Sequence, residues 1–112
     1  MTQSFKEFHT HIYFDQATKV HAEELYNRIG HAQEIVGVTT GRFHTRCVGP
    51  HPTWMFTMEY SKDAFEQVVL WLMSNLDGLS ALVHPLSGDD VEDHTKYALW
   101  FGRQLQLNLL KL

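Results

Sequence analysis

The chain of 112 residues has a net formal charge of −4 and no basic run, so its charge does not favour binding to nucleic acid. A hydrophobic content of 44% predicts one folded domain over residues 1–112, because this length is too short for two cores. A lone cysteine (Cys47), an N-terminus without a signal-peptide core and the absence of a run of about 18 apolar residues predict a cytoplasmic protein that does not span a membrane.

The first predicted element is a strand over about residues 8–14, where polar and apolar side chains alternate. A helix follows over about 17–29, where apolar residues recur at helical spacing and Gly30 is a suitable stop. A second strand is predicted over about 36–47. The segment GPHP at 49–52 then predicts a turn, because proline fixes its own φ and keeps the preceding residue extended.

The second half of the chain continues this alternation of strands and helices. A third strand is predicted over about 53–60, a second helix over about 61–76 and a fourth strand over about 79–84. A capping box that begins at Ser87 predicts a third helix over 87–101. The alternation of leucine with polar residues in the tail, QLQLNLLKL, favours a final strand.

This order of elements, βαββαβ with an additional C-terminal helix and strand, predicts an α+β ferredoxin-like fold, in which an antiparallel sheet carries two helices on one face. In that topology the first strand lies between the third and the fourth and runs antiparallel to both. The second face of the sheet is open, so the C-terminal addition or another subunit must cover it.

Two histidines, His9 and His11, lie one residue apart in the first predicted strand. Their side chains share the face turned away from the helices, roughly 6.6–7 Å apart at Cα. The ends of the neighbouring strands carry Glu59 and His84, so three imidazoles and a carboxylate meet at one end of the sheet. Such a set suits non-haem Fe(II), and three histidines also suit Zn(II). The alternative is a half-exposed strand with incidental polar rings, in which Glu59 is solvated and His84 orients the turn into Pro85.

Two further histidines are candidates for chemistry. His94 shares a face of the predicted third helix with apolar residues, so it points inward, either as an acid–base group or as a core histidine. His51 lies in the turn at the opposite end of the first strand from His9, more than roughly 10 Å away at ~3.3 Å per residue. It reaches the proposed metal only if the hairpin folds over the sheet or comes from a second subunit. Otherwise it belongs to a rigid turn.

Three segments of the chain resemble one known family. The segments HTHIYFD, GPHPTWMF and LVHPLSGDDVEDHTKYALWFG occur in the order and with the spacing of the fungal-type DOPA 4,5-dioxygenase family and its small bacterial relatives. The resemblance covers about residues 8–102. The HxH pair and GPHP are weak signals by themselves, whereas the long segment HPLSGDDVEDHTKYALW is much more specific.

The resemblance implies a ferredoxin-like fold, often dimeric, and extradiol cleavage of a catechol by O₂ at a non-haem Fe(II), which Zn(II) could replace in a purified sample. In the fungal enzyme the catechol is L-DOPA. Carried over by motif, the relevant residues are His9, His11, His51, His84 and His94. With the strand argument, we predict His9, His11 and His84 as metal ligands, and His51 and His94 as the catalytic acid–base groups.

The substrate implied by the resemblance is a small aromatic molecule with a carboxylate, and three residues are predicted to bind it. Arg42 and Arg46 could hold the carboxylate, for which the guanidinium fork is better suited than Lys96. Tyr13 could stack on the ring.

Two other functions remain open from the sequence. The first is a non-catalytic dimer that binds a metal or a small ligand, in which zinc closes the histidine cluster. The second is a cofactor-free monooxygenase on the same open-faced fold. Four protein ligands without an open position would favour the first, and activity after removal of all metal would favour the second.

Overall fold

The computed structural model describes residues 4–112. Within this range five strands form one sheet: β1 (Glu7–Phe14), β2 (Val38–Thr40), β3 (Trp54–Ser61), β4 (Ser80–Pro85) and β5 (Leu99–Phe101). The helices are α1 (Lys19–Gly30), α2 (Phe65–Asn75) and the single turn α3 (Asp90–Asp93), with 3₁₀ turns at Lys62–Ala64 and Leu109–Lys111. None of the helices in residues 4–112 is long and apolar enough to cross a bilayer.

The strands lie in the order β2-β3-β1-β4-β5, and every neighbouring pair is antiparallel. The first four strands therefore have the ferredoxin-like arrangement that the sequence predicts, with β1 in the centre between β3 and β4. β5 extends the sheet beside β4. The predicted α+β fold class is confirmed.

Alternation along the strands separates the two faces of the sheet, as predicted. The side chains of Ile12, Phe56 and Val83 face α1 and α2 and are at most 2% exposed. Thr10 lies on this apolar face as well, and its Oγ1 forms a 2.6 Å hydrogen bond with the hydroxyl of Tyr60. The bond satisfies two buried polar groups in a layer that is otherwise apolar.

The second face of the sheet is covered by the chain itself. Tyr13, Met55 and Leu82 form a small buried cluster there. Side chains from the segment between β2 and β3, from β5 and from the C-terminal tail pack on that cluster: Val48, Ala98, Trp100, Leu105 and Leu107. The sequence allowed either the C-terminal addition or another subunit to cover this face. In the structure the C-terminal addition covers part of it, together with the segment at 41–53.

The C-terminal addition differs from its prediction. The expected helix over 87–101 is wrong: α3 is one turn, and β5 pairs with β4 from residue 99. The cap is Asp89, whose side chain accepts a hydrogen bond from the Glu92 N–H. Pairing with β5 satisfies backbone groups of β4 that a helix would have left exposed at the sheet edge.

Two predicted strands are also corrected. The tail around residues 104–108 forms no strand, because its alternating leucines pack flat on the second face of the sheet and pair with no neighbour. The second strand is much shorter than the predicted range 36–47. Beyond β2 the chain keeps one isolated bridge, His44 to Met55, and then leaves the sheet plane.

Candidate metal centre

Three histidines from two neighbouring strands meet on the second face of the sheet. His9 on β1 lies directly opposite His84 on β4, and His11 lies two residues further along β1 on the same face. One nitrogen from each of His9, His11 and His84 lies within 4.8 Å of the other two, and the Nε2 atoms of His11 and His84 are 3.0 Å apart. The structure therefore brings together the three residues that we predicted as metal ligands.

Protein partners orient the rings of His11 and His84. The Nδ1 of His84 is 2.8 Å from the carbonyl oxygen of Pro85, which can only accept, so this nitrogen carries the proton. A neutral His84 then presents the lone pair of Nε2 to the site. The Nδ1 of His11 is 2.8 Å from the hydroxyl of Thr57, its cross-strand neighbour on β3. Such bonds to the remote nitrogen are typical of histidines that ligate metals.

The geometry and the charge state of this pair both fit a metal ion. When two imidazole nitrogens each lie about 2.1 Å from the same ion and the N–metal–N angle is near 90°, the nitrogens are about 3 Å apart. This distance agrees with the observed 3.0 Å between the Nε2 atoms of His11 and His84. Burial lowers the pKa of His84 to about 4, and burial together with the neighbouring histidines holds the pKa of His11 well below its usual value. Both rings are neutral at pH 7, the form that binds metal.

His51 reaches this site within its own chain. The hairpin folds over the sheet, so that the ring of His51 lies 4.3 Å from the ring of His11. Its Nδ1 is 2.8 Å from the hydroxyl of Tyr13, and the side chain is 7% exposed. Burial, followed by nearby histidines, lowers the pKa of His51 to about 4. Of the two routes that the sequence left open, folding over the sheet is the one observed.

His94 lies at the edge of the same group. Its ring centroid is 4.2 Å from that of His84, and its Nδ1 donates to the carbonyl of Asp90 over 2.7 Å. The ring is half-buried and lines a cleft of about 400 Å³ together with Trp100 and Gln106. His94 points inward as predicted, towards the histidines of the second face, and does not enter the core beneath the helices.

Glu59 contacts the site through His9. The two residues are paired across β1 and β3, and the carboxylate Oε1 is 3.3 Å from the Nε2 of His9. Half of the Glu59 side chain is exposed, compared with 26% of His9. This places His9 at the solvent edge of the cluster and His11 at its buried centre.

The residues predicted to bind substrate are dispersed. Tyr13 is 3% exposed, bonds to His51, and stacks on Trp100 with 5.9 Å between ring centroids. Arg42 and Arg46 are exposed on the segment between β2 and β3. Burial, followed by the charges of these two arginines, lowers the pKa of the intervening His44. Substrate binding by these three residues stays a prediction.

Two residues that support the site, the half-buried Thr57 and the buried Asp93, were not singled out from the sequence. Alternation already placed Thr57 on the correct face, but its bond to His11 depends on the register of β1 with β3. Asp93, at 1% exposure, accepts hydrogen bonds from the N–H and the hydroxyl of Ser87 and so ties α3, which precedes His94, to the end of β4. An acidic residue in the hydrophilic run SGDDVED offers no sign that it is buried.

Comparison with known proteins gives consistent matches. Residues 8–111 match the Dopa 4,5-dioxygenase family. A 21.2 kDa uncharacterized protein of Botryotinia fuckeliana is 37% identical over 91% of this chain and 61% of its own length. The DOPA 4,5-dioxygenase of Amanita muscaria is 32% identical over 100% of this chain and 52% of its own length. The chain thus spans between half and two thirds of these two relatives.

A solved structure supports the same assignment. The crystal structure of a protein from Nostoc punctiforme, described as a "putative dioxygenase", superposes with a TM-score of 0.87 at 39% identity, covering 96% of this chain and 93% of the other. Fold and site define a small α+β protein with a histidine cluster suited to a metal ion on one face of its sheet. The chain belongs to the Dopa 4,5-dioxygenase family.

Proposed function

We propose that this protein is an extradiol ring-cleaving dioxygenase that acts on a catechol such as L-DOPA with O₂ at a non-haem Fe(II). The observation that carries the proposal is the pair of buried, neutral histidines, His11 and His84, whose Nε2 atoms lie 3.0 Å apart beside His9. Three nitrogen ligands leave coordination positions for other molecules, which is what a catalytic centre needs. Membership of the Dopa 4,5-dioxygenase family supports this choice of chemistry.

The chain supplies the ligands and their orientation. His9, His11 and His84 would hold the ion, with Thr57 and the carbonyl of Pro85 orienting two of the rings. When bound, Fe(II) supplies electrons for O₂ and favours the loss of protons from the catechol hydroxyls. The low pKa values of His11 and His84 keep these ligands available at neutral pH.

Two flanking histidines are suited to proton transfer. Burial lowers the pKa of His51 to about 4, so the ring is neutral at pH 7. In the tautomer whose Nδ1–H donates to the hydroxyl of Tyr13, the lone pair of Nε2 is available to accept a proton from a catechol. His94 has its Nδ1 engaged by Asp90, which leaves Nε2 for exchange with a molecule in the cleft that it lines. We assign His51 and His94 as base and acid in the reaction.

Anaerobic reconstitution with Fe(II) tests the proposal. The loaded protein should bind close to one iron per chain and, after addition of L-DOPA and air, consume O₂ and form a yellow ring-opened product. His11→Ala should lose both the iron and the colour, whereas His31→Ala, which changes an exposed histidine directly after α1, should retain both.

Two results would contradict the proposal in favour of a different function, and a third would contradict the assignment of His11. Iron or zinc bound by four protein ligands, with no turnover of any catechol, would favour a non-catalytic metal protein. Oxygen consumption that survives complete removal of metal would favour a cofactor-free monooxygenase. Retention of iron and activity in His11→Ala would remove His11 from the site.

The resemblance also predicts a homodimer. Light scattering at micromolar concentration should then give twice the mass of the 13.0 kDa chain. A mass equal to one chain would contradict this prediction while leaving the metal centre intact, because the three candidate ligands, His9, His11 and His84, all come from one chain.

A further inference from the structure

A second cleft lies apart from the histidines, at the other end of β1. It has a volume of about 530 Å³, which lies in the range of small-molecule sites. Its apolar wall includes Phe14, Leu79 and Leu105, and its polar lining includes Arg103 and Asp15. We call it the arginine cleft.

The arginine cleft adjoins the candidate metal centre. Tyr13 lines the cleft and bonds through its hydroxyl to His51, whose ring lies 4.3 Å from that of His11. Leu105 lines both this cleft and the one beside His94. The arginine cleft is therefore connected to the candidate metal centre through Tyr13 and His51 on one side and adjoins the cleft beside His94 at Leu105 on the other.

Arg103 is held in place by its backbone and is available through its side chain. Its N–H donates to the hydroxyl of Ser80 over 3.0 Å. The preceding Gly102 has φ +71°, and a Cβ there would lie 3.1 Å from the carbonyl oxygen of Leu79, so the turn sits tightly against β4. The guanidinium makes no hydrogen bond or ion pair with any residue in the described range 4–112.

The other arginines are less suited to bind a ligand near the metal centre. Arg28 is paired with Glu34 at 2.9 Å. Arg42 and Arg46 line neither of the two clefts, although the sequence favoured them. Among the four arginines of the chain, Arg103 is thus the one that lines a cleft, has its backbone N–H held by Ser80 and keeps its guanidinium unpaired within the described residues.

We propose that Arg103 binds the carboxylate of an aromatic acid whose ring extends past Leu105, which lines both clefts, towards the cleft beside His94. A guanidinium is the best match to a carboxylate because it offers two parallel N–H donors. Asp15 also lines the cleft, and the hydrogen bonds that its Oδ1 accepts from the N–H and the hydroxyl of Thr18 stabilise its charged form, so its carboxylate acts against Arg103. The inference rests on the proposed function only in taking this acid as the substrate class, a catechol with an acidic side chain.

Binding to the metal-free protein tests the inference without turnover. We would titrate 3-phenylpropanoate and its neutral analogue 3-phenylpropan-1-ol by calorimetry. Arg103→Gln should raise the Kd of the acid at least roughly tenfold, the loss of one charge-assisted contact, and leave the Kd of the alcohol unchanged. Lys62→Gln, which removes a positive charge from an exposed side chain that lines neither cleft, should change the Kd of the acid less than twofold. Arg42→Gln and Arg46→Gln should each raise this Kd less than Arg103→Gln does. Asp15→Asn should not weaken binding of the acid.

Other outcomes overturn the inference. The inference fails if the wild-type protein does not bind the acid, or if Arg103→Gln loses as much affinity for the alcohol as for the acid. It also fails if Arg42→Gln or Arg46→Gln loses more affinity for the acid than Arg103→Gln does. The proposed function fails on a different result, the absence of catechol cleavage by the iron-loaded protein. If iron-loaded Arg103→Gln cleaves L-DOPA with an unchanged KM, only the inference fails.

Discussion

The hydrogen bond between Thr10 and Tyr60 should carry a measurable share of the stability of the sheet. Thr10 is fully buried and Tyr60 is 4% exposed, and their hydroxyl oxygens are 2.6 Å apart in the apolar layer beneath the helices. Thr10→Val removes one hydroxyl and leaves the other buried without a partner. An unsatisfied buried hydroxyl costs about 1–3 kcal/mol.

The expected magnitudes follow a double-mutant cycle. Thr10→Val and Tyr60→Phe should each lower the free energy of unfolding by about 1–3 kcal/mol, whereas the double variant, which buries no polar group, should lose less than the worse single variant. At this chain length, 1 kcal/mol corresponds to roughly 4 °C in Tm. Both hydroxyls lie on the helix face of the sheet, so iron affinity should not change in any of the three variants.

Urea unfolding of the metal-free proteins, followed by tryptophan fluorescence at constant pH, measures the free energy of unfolding of the wild type, the two single variants and the double variant. The midpoint should shift in each single variant while the m-value stays constant. Additive losses in the double variant would refute the reasoning, because they would mean that the two hydroxyls do not depend on each other. A loss of iron binding in Thr10→Val would show that the two faces of β1 are not independent.

Three further predictions follow from the site and its surroundings. Thr57→Val should weaken iron binding by roughly 10–100-fold, measured by competition with a chelator, because it removes the partner that orients His11; unchanged affinity would contradict an orienting role. The pKa values of His51 and His84 are about 4 in the folded chain, below the ~6.5 expected when unfolded. The unfolded chain therefore takes up protons first as the pH falls, and the metal-free protein should lose stability between about pH 6.5 and pH 4, by at most ~3 kcal/mol for each group. Flat urea midpoints over that range would count against this. Gly102→Ala should cost about 1–3 kcal/mol, because its φ of +71° and the 3.1 Å approach to Leu79 strain any side chain; a variant as stable as the parent would disprove the strain.

Much of the fold could be predicted from local patterns. The alternation in β1, β3 and β4 correctly assigned Ile12, Phe56 and Val83 to the helix face and His11 and His84 to the other. Alternation is a property of the extended backbone itself, so it can be read without knowing which strands are neighbours. The order of elements then placed β1 between its two partners.

The C-terminal addition shows where local patterns mislead. The residues after Ser87 were taken for a long helix, yet the chain turns back after α3 to pair β5 with β4. The tail alternates like a strand because one side of it packs on Tyr13 and Leu82, and this needs no strand partner. In both segments, packing against a surface formed by distant residues decided the conformation.

By itself, the sequence determined that His9, His11 and His84 share one face at one end of the sheet, because strand alternation and strand order suffice to say so. Only the tertiary structure decided how close their nitrogens come, that the hairpin brings His51 beside His11, and that Arg103 lines a cleft. These features depend on strand register, on how a loop crosses the sheet and on where the tail packs. Each is set by contacts between residues far apart in the chain, for which no short stretch of sequence carries a signal.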